Sequence, residues 1–259
     1  MKIGEAEPES IENHPSLANR FLHLHIGRHK TGTTSFQNFL HENLRGFEEL
    51  GVSLFKTEIS LNADTGPINS WAHEIPLSFL RPEFEYILKS LTQDRNLSPE
   101  HMGEVIENNL GSDKPHLIAS HEALSFIRHR SELLALKKLT DAARRDVRIY
   151  LVLRERESWI KSYRKTTGTF SPLLPDKDSL TYLEEDSWLF DNENLVDVYE
   201  SVFGKGSVIL INYESSLRTH GDICFSLIDS MHLPAQTRTF QSSTWLNASE
   251  AANSGKTAT

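Results

Sequence analysis

Between Gly27 and Gly32 the chain reads Gly-Arg-His-Lys-Thr-Gly and continues as Thr33-Thr34-Ser35. These residue types at this spacing suit the capture of a phosphate. The two glycines let the backbone curl so that its amides converge, and the first amides of the helix that follows are free to donate to the same point. Lys30 adds a mobile charge there, and Thr33, Thr34 and Ser35 add hydroxyl donors. A second candidate anion site stands further along. Arg154 closes the apolar run Val147 to Leu153, and Ser162 follows about two turns into the next helix. In open α/β sheets, ligands collect at that edge of the sheet.

Gly27 and Gly32 have the spacing of the ordinary nucleotide-binding P-loop, but the lysine precedes the second glycine and Thr33 stands where the usual motif has its lysine. The run Gly-Arg-His-Lys-Thr-Gly-Thr-Thr resembles the 5′-phosphosulfate loop of sulfotransferases that use 3′-phosphoadenosine 5′-phosphosulfate (PAPS), with its Lys-[Ser/Thr]-Gly-Thr-Thr core. Arg154 with Ser162 resembles the 3′-phosphate motif of the same family, an Arg ending a strand followed at this spacing by a Ser. The resemblance covers Arg20 to Leu44, Val147 to Arg164 and, weakly, Val208 to Leu217, where Tyr213-Glu214 resembles a structural Tyr-Glu pair. The family's glycine-rich carboxyl-terminal loop is not clearly matched, and Asn247 with Ser249, or Ser254-Gly255-Lys256, are the candidates to stand in for it.

The resemblance implies transfer of a sulfuryl group from PAPS to a hydroxyl or amine. It implies a binding set of Arg28, His29, Lys30, Thr31, Gly32, Thr33, Thr34, Ser35, Arg154 and Ser162. Lys30 would approach the oxygen between phosphate and sulfate, and no metal would be required. An acceptor must also lose a proton, and Ser120-His121-Glu122 offers two bases after a strand. The family uses either a His or a Glu there, and its bacterial branch often has Ser-x-Glu. A histidine titrates near neutrality, at ~6.5, whereas a glutamate usually needs burial to raise its basicity. His121 and Glu122 both stay open, with His73 the next candidate.

The elements that must position these residues are legible as alternating strands and helices. Leu22, Leu24 and Ile26 alternate with His23 and His25, which predicts a strand with two unlike faces, and Phe36, Phe39, Leu40 and Phe47 recur at helical spacing. Val52 to Phe55, His116 to Ser120, Val147 to Leu153 and Ser207 to Ile211 read as further strands. Helical patterns run through Phe84 to Leu91, Met102 to Leu110, Ser131 to Ala143 and Ile223 to Met231, the second behind the cap-like Ser98-Pro99-Glu100. This alternation predicts a three-layer α/β/α fold of P-loop type with a central parallel sheet and loop and helical insertions. Residues 21–234 are expected to form one domain, with a flexible arm over 1–20 and a polar, partly disordered tail over 235–259. Leu61 to Pro82 reads as a loop-rich insertion, and Thr169 to Asn194 as a substrate-facing flap.

At 259 residues, 38% hydrophobic and 24% charged, the composition is that of an ordinary globular protein with a sizeable core. The net charge of -9 argues against a broad nucleic-acid surface, so any anion site must be local. No apolar run reaches the ~20 residues that a membrane span needs, and the acidic start lacks the apolar core of a secretion signal. A cytoplasmic location is expected, with a small-molecule or carbohydrate acceptor. The single Cys224 sits among apolar residues and reads as core. Arg144, Arg145 and Arg148 read as solvated charges, and His23, His25 and His29 do not read as a metal site. Trp71, Phe79, Phe170, Trp188 and Phe190 are candidates to line an acceptor cleft. Two other readings stand beside the sulfotransferase: a P-loop kinase or NTPase using ATP and magnesium, and a non-catalytic nucleotide-binding protein.

Overall fold

A computed structural model describes residues 19–57, 72–81, 98–170, 177–180 and 182–240, with side chains omitted over 166–170. Five parallel strands, β1 (Phe21–Gly27), β2 (Val52–Leu54), β3 (His116–Ser120), β4 (Asp146–Leu153) and β5 (Val208–Asn212), pair in the order β2-β3-β1-β4-β5. β1 is central, hydrogen-bonded to β3 on one side and β4 on the other. The order of the strands reverses around it, which puts the ligand crevice of such a sheet over the carboxyl ends of β1, β3 and β4.

Helices cover both faces. On one, α4 (Pro99–Leu110), α5 (Arg130–Ala142), α6 (Arg156–Phe170) and α7 (Asn192–Phe203) close over Leu22, Leu24, Ile26, Leu117, Ile149 and Leu151. On the other, α1 (Thr33–Glu42), α2 (Leu44–Glu49) and α9 (Cys224–Met231) bury Phe36, Phe39, Phe47, Leu227 and Ile228 against Ile118, Tyr150 and Val152. Cys224 is fully buried in this second core. Local chemistry sets several helix starts. Ser98 Oγ accepts from the His101 amide to cap α4 with Pro99 at its first position, and at α5 the Glu132 carboxylate accepts the His129 amide.

Four departures from the expected elements have clear causes. β1 is buried on both faces, because His23 and His25 find partners under the helices: His23 bonds Tyr150 Oη at 2.9 Å and His116 at 3.0 Å, and His25 bonds Ser120 Oγ at 2.8 Å. The insertion before Pro82 contains a helix, α3 (Glu74–Phe79), which Pro76 hides from a reading by breaker residues. Arg145 is not solvated: it is 3% exposed and donates to the carbonyls of Leu110, Phe21, Ser112 and Lys114. Arg20 converges on the same place, donating to Ala143, Leu110 and Ser112 carbonyls. Beyond Leu233 the chain makes a 3-10 turn over Ala235–Thr239 and seats Phe240 edge-on against Phe47 at 4.8 Å. The patterns at Phe84 to Leu91 and most of the expected arm and tail lie outside the described residues.

Candidate functional site

The loop between β1 and α1 is held in a shape that few residues permit. Gly27 has φ of +84° and Gly32 of +87°, the left-handed region that glycine enters without penalty, and Lys30 is also left-handed at 61°. A Cβ at Gly27 would lie 2.9 Å from Glu122 Cα, and one at Gly32 would lie 2.7 Å from Ile223 Cγ2. Both glycines therefore serve close approach as well as conformation. Three successive carbonyls are pinned by side chains: Arg28 O accepts from Thr31 Oγ1 at 2.5 Å, His29 O from Trp159 Nε1 at 2.7 Å, and Lys30 O from Arg154 Nη1 at 2.9 Å. Amides are then the groups this curled backbone offers to an anion.

The two turns singled out by their residue types stand side by side, because β1 and β4 are neighbours in the sheet. Arg154 lies 4.9 Å over the Tyr213 ring, and its Nε is buried with no hydrogen-bond partner among the described residues. Tyr213 opens α8 (Tyr213–His220), and Glu214 Oε1 accepts from the Glu155 amide at 3.1 Å, so this pair fastens the end of β4 to the end of β5. Ser162 sits partly buried on α6, the helix whose Trp159 holds the loop. Thr33 and Thr34 begin α1, and Thr33 Oγ1 turns toward Arg28 O at 3.3 Å. Thr31 is fully buried and braces the loop from inside.

On the β3 side, Glu122 begins a 3-10 turn (Glu122–Phe126) and lies against Gly27. Its carboxylate is 3.9 Å from His29 Nδ1, and the second oxygen is buried without a partner among the described residues. Burial opposes the charged carboxylate, but His29, His121, its own backbone amide and His73 outweigh that and hold it below the usual carboxyl value. Burial lowers the Lys30 pKa while Glu122 pulls it back up, so the two charges share one electrostatic environment.

His121 is 2% exposed, and both of its ring nitrogens are engaged within the protein. Nδ1 accepts from the Ala123 amide at 3.0 Å, which places the ring proton on Nε2, donated to His73 Nδ1 at 2.9 Å. Burial keeps His121 below its ordinary pKa and takes His73 to about 3. The arrangement leaves Glu122 as the carboxylate facing the loop, with the histidine pair behind it.

Arg28 does not join Lys30. Its guanidinium is buried, 4.7 Å over the Trp159 ring, and Nη1 donates to Asn192 Oδ1 at 2.9 Å. His29 stacks on Phe126 at 4.9 Å, and burial lowers its pKa to about 4. Trp159 and Asn192 were invisible as site residues from the sequence, because neither type at its spacing carries a motif. Trp188 and Phe190 lie on the wall beside them, Trp188 edge-on to Phe126 at 6.1 Å and Phe190 edge-on to Trp159 at 5.5 Å. Trp71 and the Phe170 side chain lie outside the described residues.

No protein-family model matches the chain, and no curated protein matches it. Among solved structures, a sulfotransferase from Alicyclobacillus acidocaldarius superposes with a TM-score of 0.50 at 14% identity, covering 88% of this chain and 87% of that one. The chain has a sulfotransferase-like fold. A sulfotransferase domain from the curacin biosynthetic pathway matches at 14% identity, over 88% of this chain and 78% of that one, with a TM-score of 0.44. A structure from the PezAT toxin-antitoxin system of Streptococcus pneumoniae matches at 11% identity, over 82% and 78%, with a TM-score of 0.38. In this sulfotransferase-like fold, Lys30, Arg154 and Glu122 gather at the carboxyl edge of the sheet. Among the described residues no helix is long and apolar enough to cross a membrane, and none of their His, Cys, Asp and Glu side chains form a metal-holding group.

Proposed function

We propose that this protein transfers a sulfuryl group from PAPS to a hydroxyl or amine of a small-molecule or carbohydrate acceptor. The reading takes residues 21–234 as one catalytic domain acting in the cytoplasm. The observation that carries it is the hydrogen bond from Arg154 Nη1 to Lys30 O, which sets the two anion-binding turns next to each other. A nucleotide with phosphates at two positions needs two such turns within one molecule's length. The residues fit such a ligand: Arg154 keeps a buried Nε without a partner among the described residues, and the left-handed Gly27, Lys30 and Gly32 curl the backbone whose amides would face the anion.

When bound, PAPS would supply an activated sulfuryl group whose leaving group is 3′,5′-diphosphoadenosine. The amides from Lys30 to Thr34, with the Thr33 and Thr34 hydroxyls, hold the 5′-phosphate. Arg154 and Ser162 hold the 3′-phosphate through charged and neutral hydrogen bonds. Lys30 stabilises charge on the departing oxygen as the sulfur–oxygen bond breaks. Glu122 is assigned the proton that the acceptor loses as its oxygen or nitrogen bonds to sulfur, on its position facing the loop and not on its basicity, since its histidine neighbours hold its pKa below the usual carboxyl value. His121 acts behind it, tying the turn in place through the Ala123 amide.

Calorimetry with 3′,5′-diphosphoadenosine tests this reading. Binding in the micromolar range without magnesium, and far weaker binding of ATP, is expected. Equal affinities, or a requirement for magnesium, overturn it and favour an ATP-using enzyme.

A further inference from the structure

Two guanidinium groups meet beside the loop with too little negative charge to match them. Arg28 is only 7% exposed, and its Nη2 is buried with no partner among the described residues. Its Nη1 reaches Asn192, the first residue of α7, and the α7 amino terminus is the positive end of that helix dipole. Arg128 approaches the same end. Its Nη1 donates to Asp191 O at 2.7 Å, its Nε donates to Ser125 O at 3.2 Å, and its plane lies 5.2 Å over Trp188. A helix amino terminus is where a cation is disfavoured, yet two are brought there.

The nearby acids are already committed. Asp191 Oδ1 accepts from the Asn194 amide as the α7 cap, and Glu132 pairs with Arg81 at 3.2 Å while accepting the Arg128 and His129 amides. Burial, then the Arg128 charge, lower the Arg28 pKa to about 9, and burial lowers that of Arg128 to about 10. A buried cation without a carboxylate costs stability, and such a cost is met when a ligand anion arrives. The aromatic rings of Trp159, Trp188 and Phe126 stand around the pair. His29 stacks on Phe126 and reaches Glu122, which places this cluster on the side of the loop where the proton acceptor lies.

We infer that Arg28 and Arg128, at the amino terminus of α7, bind an anionic group of the acceptor, a carboxylate or a sulfate carried near the hydroxyl or amine that is modified. The substrate class is therefore an anionic acceptor. Arg128, partly exposed, is the outer contact, and Arg28 is the inner one. This assignment rests on the sulfotransferase reading for the word acceptor, but the anion site itself does not.

Thermal unfolding of the full chain, saturated with 3′,5′-diphosphoadenosine so that the loop is filled, tests the site at constant ionic strength. Sodium sulfate and sodium glucuronate are titrated in separate arms, with sodium chloride as the control. At least one of the two should raise the melting temperature saturably above chloride, and the better arm tells a sulfate-bearing from a carboxylate-bearing acceptor. Arg28→Gln and Arg128→Gln should each weaken that response at least tenfold. Circular dichroism checks folding, and Arg128→Gln carries the test should Arg28→Gln fail to fold. No saturable rise, or a rise unchanged in the variants, overturns the site. If diphosphoadenosine itself does not bind, the sulfotransferase reading fails, and the same titrations on the Lys30→Ala chain still decide the anion site.

Discussion

Lys30 holds its charge against partial burial, with Glu122 as the group that supports it. Removing the ammonium should abolish a charge contact without unfolding a loop whose carbonyls are pinned by Thr31, Trp159 and Arg154. Lys30→Ala is expected to fold normally, Arg154→Ala to fold with the Lys30 carbonyl released, and each to weaken 3′,5′-diphosphoadenosine binding by about tenfold to a hundredfold, as the loss of a charged hydrogen bond of ~1.5–3 kcal/mol implies. Calorimetry on both variants checks this, and unchanged binding in either removes that residue from the site. Glu122→Gln keeps the shape of the turn but not its basicity. Its transfer rate with labelled PAPS should fall by ~10²–10⁴, with diphosphoadenosine affinity preserved. His121→Ala should instead lower transfer through a loosened turn. If it alone abolishes transfer while Glu122→Gln does not, the proton goes elsewhere. At this scale the sequence was informative about types and spacing, and silent about direction. Arg28 belongs to the loop motif by position, yet its side chain leaves the loop for Asn192, since the direction is set by Trp159 on a helix far along the chain.

The turn from β1 into α1 is where local geometry and packing coincide. Gly32 has a left-handed φ, and its missing Cβ makes room for Ile223 at the start of α9. Gly32→Ala should therefore cost roughly 1–3 kcal/mol in urea unfolding, because backbone strain and overpacking act together. Adding Ile223→Ala should relieve the overpacking and leave the strain, but would itself remove buried apolar volume, so a full return to wild-type stability would show that the strain is small. Gly27→Ala presses on Glu122 Cα at 2.9 Å, and is expected to lower transfer activity more than it lowers stability. The elements themselves followed from periodicity wherever burial is one-sided, as in α4, whose buried residues are Met102, Val105, Ile106 and Leu110. Periodicity misled where polar residues are buried with partners. In β1 the alternation of apolar residues with His23 and His25 looks amphipathic, but Tyr150 and His116 engage both His23 nitrogens, Ser120 engages His25 Nδ1, and both faces close.

Across the whole molecule, buried neutral histidines tie stability to pH. Burial lowers the pKa of His23 to about 3, of His25 to about 4, of His29 to about 4 and of His73 to about 3. In the unfolded chain each returns to ~6.5, so that state takes up protons which the folded state refuses. Stability is then complete above about pH 6.5 and declines as the pH falls toward about 4, by ~1.4 kcal/mol per pH unit for each such histidine. Urea unfolding at about pH 7.5 and about pH 5.5 should differ by several kcal/mol, and a flat profile would mean that these imidazoles are solvated. A net charge of -9 led to the expectation that any anion site is local, yet charge counting could not tell a solvated arginine from Arg145, whose guanidinium donates to four carbonyls.

The indole of Trp159 donates its N–H to the His29 carbonyl while its ring lies under Arg28. One chromophore thus touches both the turn between β1 and α1 and the buried cation next to it. Its emission is an intrinsic optical reporter: a change in its wavelength or intensity on adding nucleotide, absent in Trp159→Phe, would time the tightening of the turn directly, without a label.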